Sequence, residues 1–203
     1  MTISADSVRE LRERTGAGMM DCKKALAETS GDFDKAVEYL RKKGIANADK
    51  KSGRATKEGA VLSYIHGGGK VGVLVEVNCE TDFVARTQQF QDFVKDICMH
   101  VAAANPRWVL STEVPADVVG KEKEIAVAQM KDSGKPAAVL EKIAEGKIKK
   151  FYEENCLMNQ SFIKDPDKTI EGLLKETIAT LGENITIRRF CRFALGEGAA
   201  EAN

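Results

Sequence analysis

No stretch of this chain approaches the roughly 18 to 20 apolar residues that span a bilayer, so no membrane partner is expected. Nor is there an excess of either charge: 31 Lys and Arg stand against 31 Asp and Glu, for a formal net charge of zero. Domains whose main partner is a phosphate backbone usually carry a clear basic excess, so no nucleic-acid partner is expected. Histidine is scarce, with only His66 and His100, which leaves little material for a His-centred triad. The five cysteines, Cys22, Cys79, Cys98, Cys156 and Cys191, are dispersed and odd in number, and no two form a C-x-x-C. That pattern indicates neither a zinc site nor a disulfide framework, and reduced thiols in a cytosol are the default. The opening MTISADSVRELRERTG has no apolar signal core and no acid-poor Arg/Ser stretch, so a cytoplasmic location is the expectation.

What is present is 203 residues, 43% apolar and 31% charged, a soluble, helix-rich profile with length for one or two domains and a real core. The spacing predicts three short helices over residues 6–43. Asp6 can cap the first, residues 15–18 (Thr-Gly-Ala-Gly) break it, Met19 to Leu26 make the second, and Asp32 starts the third, which Gly44 would end. Residues 44–57 are small, polar and basic and read as a linker, whose Lys50, Lys51, Arg54 and Lys57 are solvated or touch an acidic partner. The period then changes. Residues 60–66 and 71–77 are β-branched runs around Gly67-Gly68-Gly69-Lys70, which predicts a hairpin; the spacing of a phosphate-binding P-loop is absent. Helices are predicted from about Val84 to Ala104, over 116–132 (with Met130 on the apolar side), over 137–155 with a break or kink at Gly146, and from Thr169 to Gly182. Gly134 and Pro136 punctuate between the second and third of these, 157–166 is irregular or extended, and 184–195 is a final strand. The expected architecture is α+β. Residues 1–50 form a helical domain, 51–57 a linker, 58–196 a core with a three-stranded antiparallel sheet plus helices, and 197–203 a frayed tail.

Enzymatic chemistry finds little support. The paired carboxylates Glu153-Glu154 and Glu122/Glu124 fall on polar helix faces. Cys79 and His66 could be drawn as a nucleophile and base, but a thiol packed in a sheet is the simpler reading. No catalytic residue, metal ligand set or cofactor is expected.

Two segments exceed structural need. In LRERTGAGMMDCKKAL at 11–26, Met19 and Met20 follow a Gly-rich turn and cannot both face the core of so small a bundle. Core filler and adaptable binding surface are both open for them. In EVNCETDFVAR at 76–86, Thr81 or Asp82 is a natural helix cap, and Phe83 and Val84 either form a hydrophobic staple or place an aromatic at a tip that inserts into a partner. With GENITIRRF at 182–190, these two segments resemble the signatures of the translation elongation factor Ts family, over essentially the whole chain.

The resemblance implies a three-helix domain similar to ubiquitin-associated domains, docking on the G domain of elongation factor Tu through Arg12, Met19, Met20 and Lys23. Leu181-Gly182 would meet the same domain. Thr81, Asp82, Phe83 and Val84 match the motif the family inserts beside its partner's magnesium site, with Phe83 the wedge and Asp82 its polar companion. Long members carry two related core subdomains; this chain has room for one and is similar to the short form, which pairs with itself. A guanine-nucleotide exchange factor acting as a homodimer is therefore the implied function. The rival is a helical adaptor joined to a structural core, which has no need of an acid–aromatic tip 30 residues beyond its helical module.

Overall fold

The computed structural model describes residues 3–129 and 137–198. Its helices are α1 (Ala5–Thr15), α2 (Met19–Glu28), α3 (Phe33–Lys51), α4 (Asp82–Ala85), α5 (Gln88–Ala104), α6 (Ala116–Ala128), α7 (Ala137–Asn155) and α8 (Ile170–Leu181). Its strands are β1 (Glu58–His66), β2 (Val71–Cys79), β3 (Ser161–Phe162), β4 (Asp165–Thr169) and β5 (Ile185–Ala194). The main sheet is three-stranded and antiparallel in the order β1-β2-β5, so the α+β architecture holds. A second, two-stranded sheet pairs β3 with β4; the sequence reading had 157–166 irregular or extended, without a pairing. Two compact units result. One comprises Met1–Val61, Glu76–Lys95 and Gly172–Ile187, the other Leu62–Val75, Asp96–Glu171 and Arg188–Asn203.

In the first unit, α1, α2 and α3 close around Val8, Leu11, Cys22, Ala25, Leu26, Ala36 and Leu40. Ser4, not Asp6, caps α1: its hydroxyl accepts from the Ser7 N–H at 3.1 Å, and Asp6 lies in the first turn, where its charge favours the helix dipole. Asp32 caps α3 as expected, accepting from Lys35 N–H. Gly44 does not end α3. The helix runs on to Lys51, through much of the stretch read as a linker, because Gly44 marks a crossing: a Cβ there would lie 2.9 Å from the Cβ of Ala179 on α8. Arg41–Glu176 and Lys175–Asp49 ion pairs flank that crossing. The long helix expected from Val84 is two helices. α4 closes with the Arg86 N–H on the Asp82 carbonyl, and the Thr87 hydroxyl, accepting from Phe90 N–H, starts α5 afresh.

In the second unit, α6 and α7 pack together, and α7 passes through Gly146 unbroken, since its other eighteen residues supply the ladder and nothing crowds the glycine. His100 and Gln160 are buried. Ile163 N–H donates to His100 Nδ1, so Nε2 carries the proton and donates to Gln160 Oε1 at 2.9 Å, while the Gln160 amide donates to the Glu154 carbonyl. Burial holds the His100 pKa below its usual value. The turn glycines 67–69 all have positive φ, as the hairpin requires. The punctuation at Gly134 and Pro136, Met130, and residues 199–203 of the tail lie outside the described residues.

Candidate partner-binding surface

All ten residues singled out from the sequence fall within the first unit. The α1–α2 turn is built by Thr15, whose hydroxyl donates to the Leu11 carbonyl and accepts from Ala17 N–H, and by Gly16, left-handed at φ 67° with its N–H on the Arg12 carbonyl. α2 then buries Cys22, Ala25 and Leu26. That phase turns Met19 and Met20 outward, at 42% and 76% exposure. Neither is core filler. Arg12 on α1 and Lys23 on α2 are exposed as well. Lys43 on α3 holds Asp21 of α2 through a 2.6 Å ion pair, and that carboxylate raises the Lys43 pKa.

The end of α8 meets this turn. A Cβ on Gly16 would sit 3.2 Å from Thr180 Cγ2, so Leu181 and Gly182 come close to the α1–α2 turn although more than 160 positions separate them in sequence. Leu181 is half-buried, and Gly182 closes the helix at φ +81°.

Thr81 to Val84 form the other part of the surface. Thr81 caps α4 by accepting from Val84 N–H at 3.4 Å. Asp82 pairs with Arg86 at 2.9 Å, one helical turn away. Val84 is half-buried and Ala85 buried. Phe83 is 78% exposed. A hydrophobic staple would bury it against its own helix, so the staple reading fails.

Sequence reasoning missed what holds this motif. The Glu183 carboxylate accepts from Thr81 N–H at 3.0 Å and from the Thr81 hydroxyl at 2.7 Å. Next to it, Asn184 is buried; its N–H donates to Glu80 Oε1 at 2.6 Å, and its side-chain amide donates to the carbonyls of Ser52 and Arg54. That N–H, with the Arg54 guanidinium at 3.3 Å, lowers the Glu80 pKa. Arg54, read as either solvated or a contact for an acidic partner, pairs with Glu80. The only signal of this bracket in the sequence was the polar Gly-Glu-Asn at 182–184 between a helix and a strand.

Cys79 and His66, the pair that could be drawn as nucleophile and base, are each engaged elsewhere. Burial pushes the Cys79 thiol up to about 11, and its Sγ donates to the Thr81 carbonyl. His66 is exposed and bonded to the Tyr64 hydroxyl. Among the described residues, no three His, Cys, Asp or Glu side chains gather to hold a metal ion. No helix among them is long and apolar enough to cross a membrane.

With this geometry in hand, comparison with known proteins is decisive. A family model described as elongation factor TS matches residues 21–197. The chain belongs to the elongation factor Ts family. It is 64% identical over 198 residues to elongation factor Ts of Geobacter sulfurreducens, covering 98% of this chain and 92% of that one. It is 62% identical to elongation factor Ts of Caldanaerobacter subterraneus, covering 97% and 98%. Against elongation factor Ts of Anaeromyxobacter dehalogenans the identity is 66%, covering 97% and 90%. Family membership makes the chain a translation elongation factor of the nucleotide-exchange class. The rival adaptor reading is set aside.

Proposed function

We propose that this protein binds elongation factor Tu carrying GDP in the cytoplasm and accelerates GDP release, acting as a homodimer and performing no bond chemistry itself. Arg12, Met19, Met20 and Lys23, with Leu181 and Gly182, form the docking surface, and Thr81 to Val84 disturb the partner's magnesium and phosphate site. The observation that carries this reading is Phe83: a large aromatic left 78% exposed on a turn fixed from behind. Such a side chain buries 150 Å² or more in a partner, worth roughly 2–3 kcal/mol. That energy offsets the cost of parting the partner's side chains beside its ion. Asp82 then competes for the groups that hold the ion's water shell, the GDP phosphates lose neutralisation, and release accelerates. Exchange is negative coupling between two ligands of one protein, so GDP must weaken the binding of this factor by the same ratio.

The test is release of fluorescent GDP from elongation factor Tu with Phe83→Ala. Release is expected to slow by about one to two orders of magnitude, if most of that burial energy is coupled, 1.4 kcal/mol being tenfold. The melting temperature should barely move, because an exposed residue contributes little to the fold. Wild-type release by a variant that melts early would end the wedge reading.

A further inference from the structure

A helix of four residues cannot hold itself in place, because fixing the first turn costs more than its one or two hydrogen bonds return. The position of α4, and of Phe83 on it, must therefore come from outside. At its far end, the Gln91 amide donates to the Ala85 carbonyl at 2.6 Å. At its near end stands Glu183. We infer that Glu183 is the positioning residue of the exchange motif, its carboxylate locking Thr81 and so fixing the direction in which Phe83 is presented. This inference rests on the wedge role proposed above.

The chain of bonds runs one way. The Thr81 hydroxyl gives its only proton to Glu183 Oε1, which leaves its lone pairs for Val84 N–H. The second carboxylate oxygen takes the Thr81 backbone N–H. Thr81 is thus held at the main chain and at the side chain by one ionised group, and charge-assisted bonds of this kind are about twice as strong as neutral ones. Phe83 lies between Thr81 and Val84, the two residues this relay fixes. Glu183 is itself immobilised by its neighbour: Asn184 is clamped to Glu80 and to the backbone at Ser52 and Arg54. Glu183 directly follows Leu181 and Gly182, so the group that holds Thr81 is adjacent in the chain to two residues assigned to docking.

The test uses the full chain with Glu183→Ala, Phe83→Ala and the double variant. Each is assayed for GDP release from elongation factor Tu at saturating factor, for binding to nucleotide-free elongation factor Tu, and for amide exchange of Val84 in the free protein. Glu183→Ala is expected to lower the maximal release rate about tenfold or more, the scale on which a misplaced group loses rate. Binding to nucleotide-free partner should stay within about threefold, because docking and presentation are separate contributions to the rate. The Val84 amide should exchange at least about tenfold faster as local opening becomes easier. The double variant should be no slower than Phe83→Ala, because a residue that acts through Phe83 has nothing left to aim. If Glu183→Ala melts early, Glu183→Gln, equal in size and lacking the charge, takes its place and should be slowed in the same sense. Wild-type maximal release, unchanged exchange at Val84, or multiplicative losses in the double variant would each overturn the inference. A silent Phe83→Ala would overturn the wedge reading and this inference with it. A slow Phe83→Ala beside a silent Glu183→Ala would overturn the positioning role alone.

Discussion

Gly59 shows how far one residue can constrain this fold. Its φ is +144°, and a Cβ built there would lie 2.1 Å from the Val77 carbonyl oxygen and 2.7 Å from the Asn78 Cα. Both are backbone atoms, with no flexible end to give way. Gly59→Ala is therefore expected to part β1 from β2 and to cost more than about 4 kcal/mol, in the range of severe single changes; a soluble variant with a wild-type melting curve would refute it. Nothing in the sequence sets Gly59 apart from the freely solvated Gly53. The methionines and Phe83 were legible only as alternatives: Met19 and Met20 could not both face so small a core, and Phe83 was either a staple or an inserting tip; the burial of Cys22, Ala25 and Leu26 and the exposure of Phe83 decide between them. Glu183 was not legible, because its bond to Thr81 spans 102 positions, and local pattern carries no information about such a pairing.

His100 makes a second prediction at this scale. Buried and neutral, it binds a proton less readily in the folded protein than in the unfolded chain. Where the unfolded state holds more protons, stability rises with pH. The contribution is therefore intact above the unfolded pKa of about 6.5 and is lost as pH falls below it. The carboxylates of Asp32, Glu38 and Glu80 are held below their usual range, so their stabilisation fails only at lower pH, below about 4–5. Melting temperatures taken between about pH 7.5 and pH 5.5 should fall with acidity in the wild type and fall less in His100→Gln. A flat wild-type profile in that window would refute this.

Among the elements, two helical glycines that look alike in sequence should respond oppositely to alanine. Gly146 has open space around its absent side chain. Gly146→Ala should gain about 0.5–1 kcal/mol of helix propensity and raise the melting temperature by about 2 °C. Gly44→Ala gains the same propensity but meets the Ala179 Cβ at 2.9 Å. Forcing α3 off α8 costs about 1–3 kcal/mol, so its melting temperature should fall. Melting curves of the two variants side by side decide the matter. Apolar periodicity placed every long helix, because each buries a stripe. It misread Gly44 as a stop, because a terminator and a close crossing call for the same residue, and it read a break or kink at Gly146, where the helix runs through unbroken. It also merged α4 with α5, where a single Thr87 hydroxyl restarts the helix, and it passed over β3 and β4, whose pairing includes a register shift and whose second strand, DPDKT, is polar.

For the whole molecule, the strands were legible but not their company. Alternation gave β2 one buried face, carried by Val73, Val75, Val77 and Cys79. Burial changes along β5: Ile185 and Ile187 at its start are buried, while Phe193 near its end and Leu195 just past it stand 73% and 83% exposed. Ile65 and Leu74 of the hairpin are exposed in the same unit, and Ile65 lies over Gly72, 3.4 Å from where a Cβ would be. Four large apolar side chains left in water, three on sheet strands and Leu195 just past β5 with its N–H on the Lys70 carbonyl, are more than scattered exposure needs, and groups of this kind mark interfaces. A second copy presents the same surface, and a two-fold axis lets each cover the other. At roughly 1.5–3 kcal/mol for each large side chain fully buried, the eight from two copies outweigh the loss of rotational and translational freedom, about 4–15 kcal/mol, only if most of them are covered. The homodimer proposed above thus depends on individual residues of this group. Light scattering at micromolar concentration should return twice the chain mass of 22.2 kDa. Phe193→Glu, which places a charge where the partner's apolar surface would press, should return the monomer with its helical signal intact. A wild-type monomer would refute the dimer, and a dimer undisturbed by Phe193→Glu would move the interface away from this face.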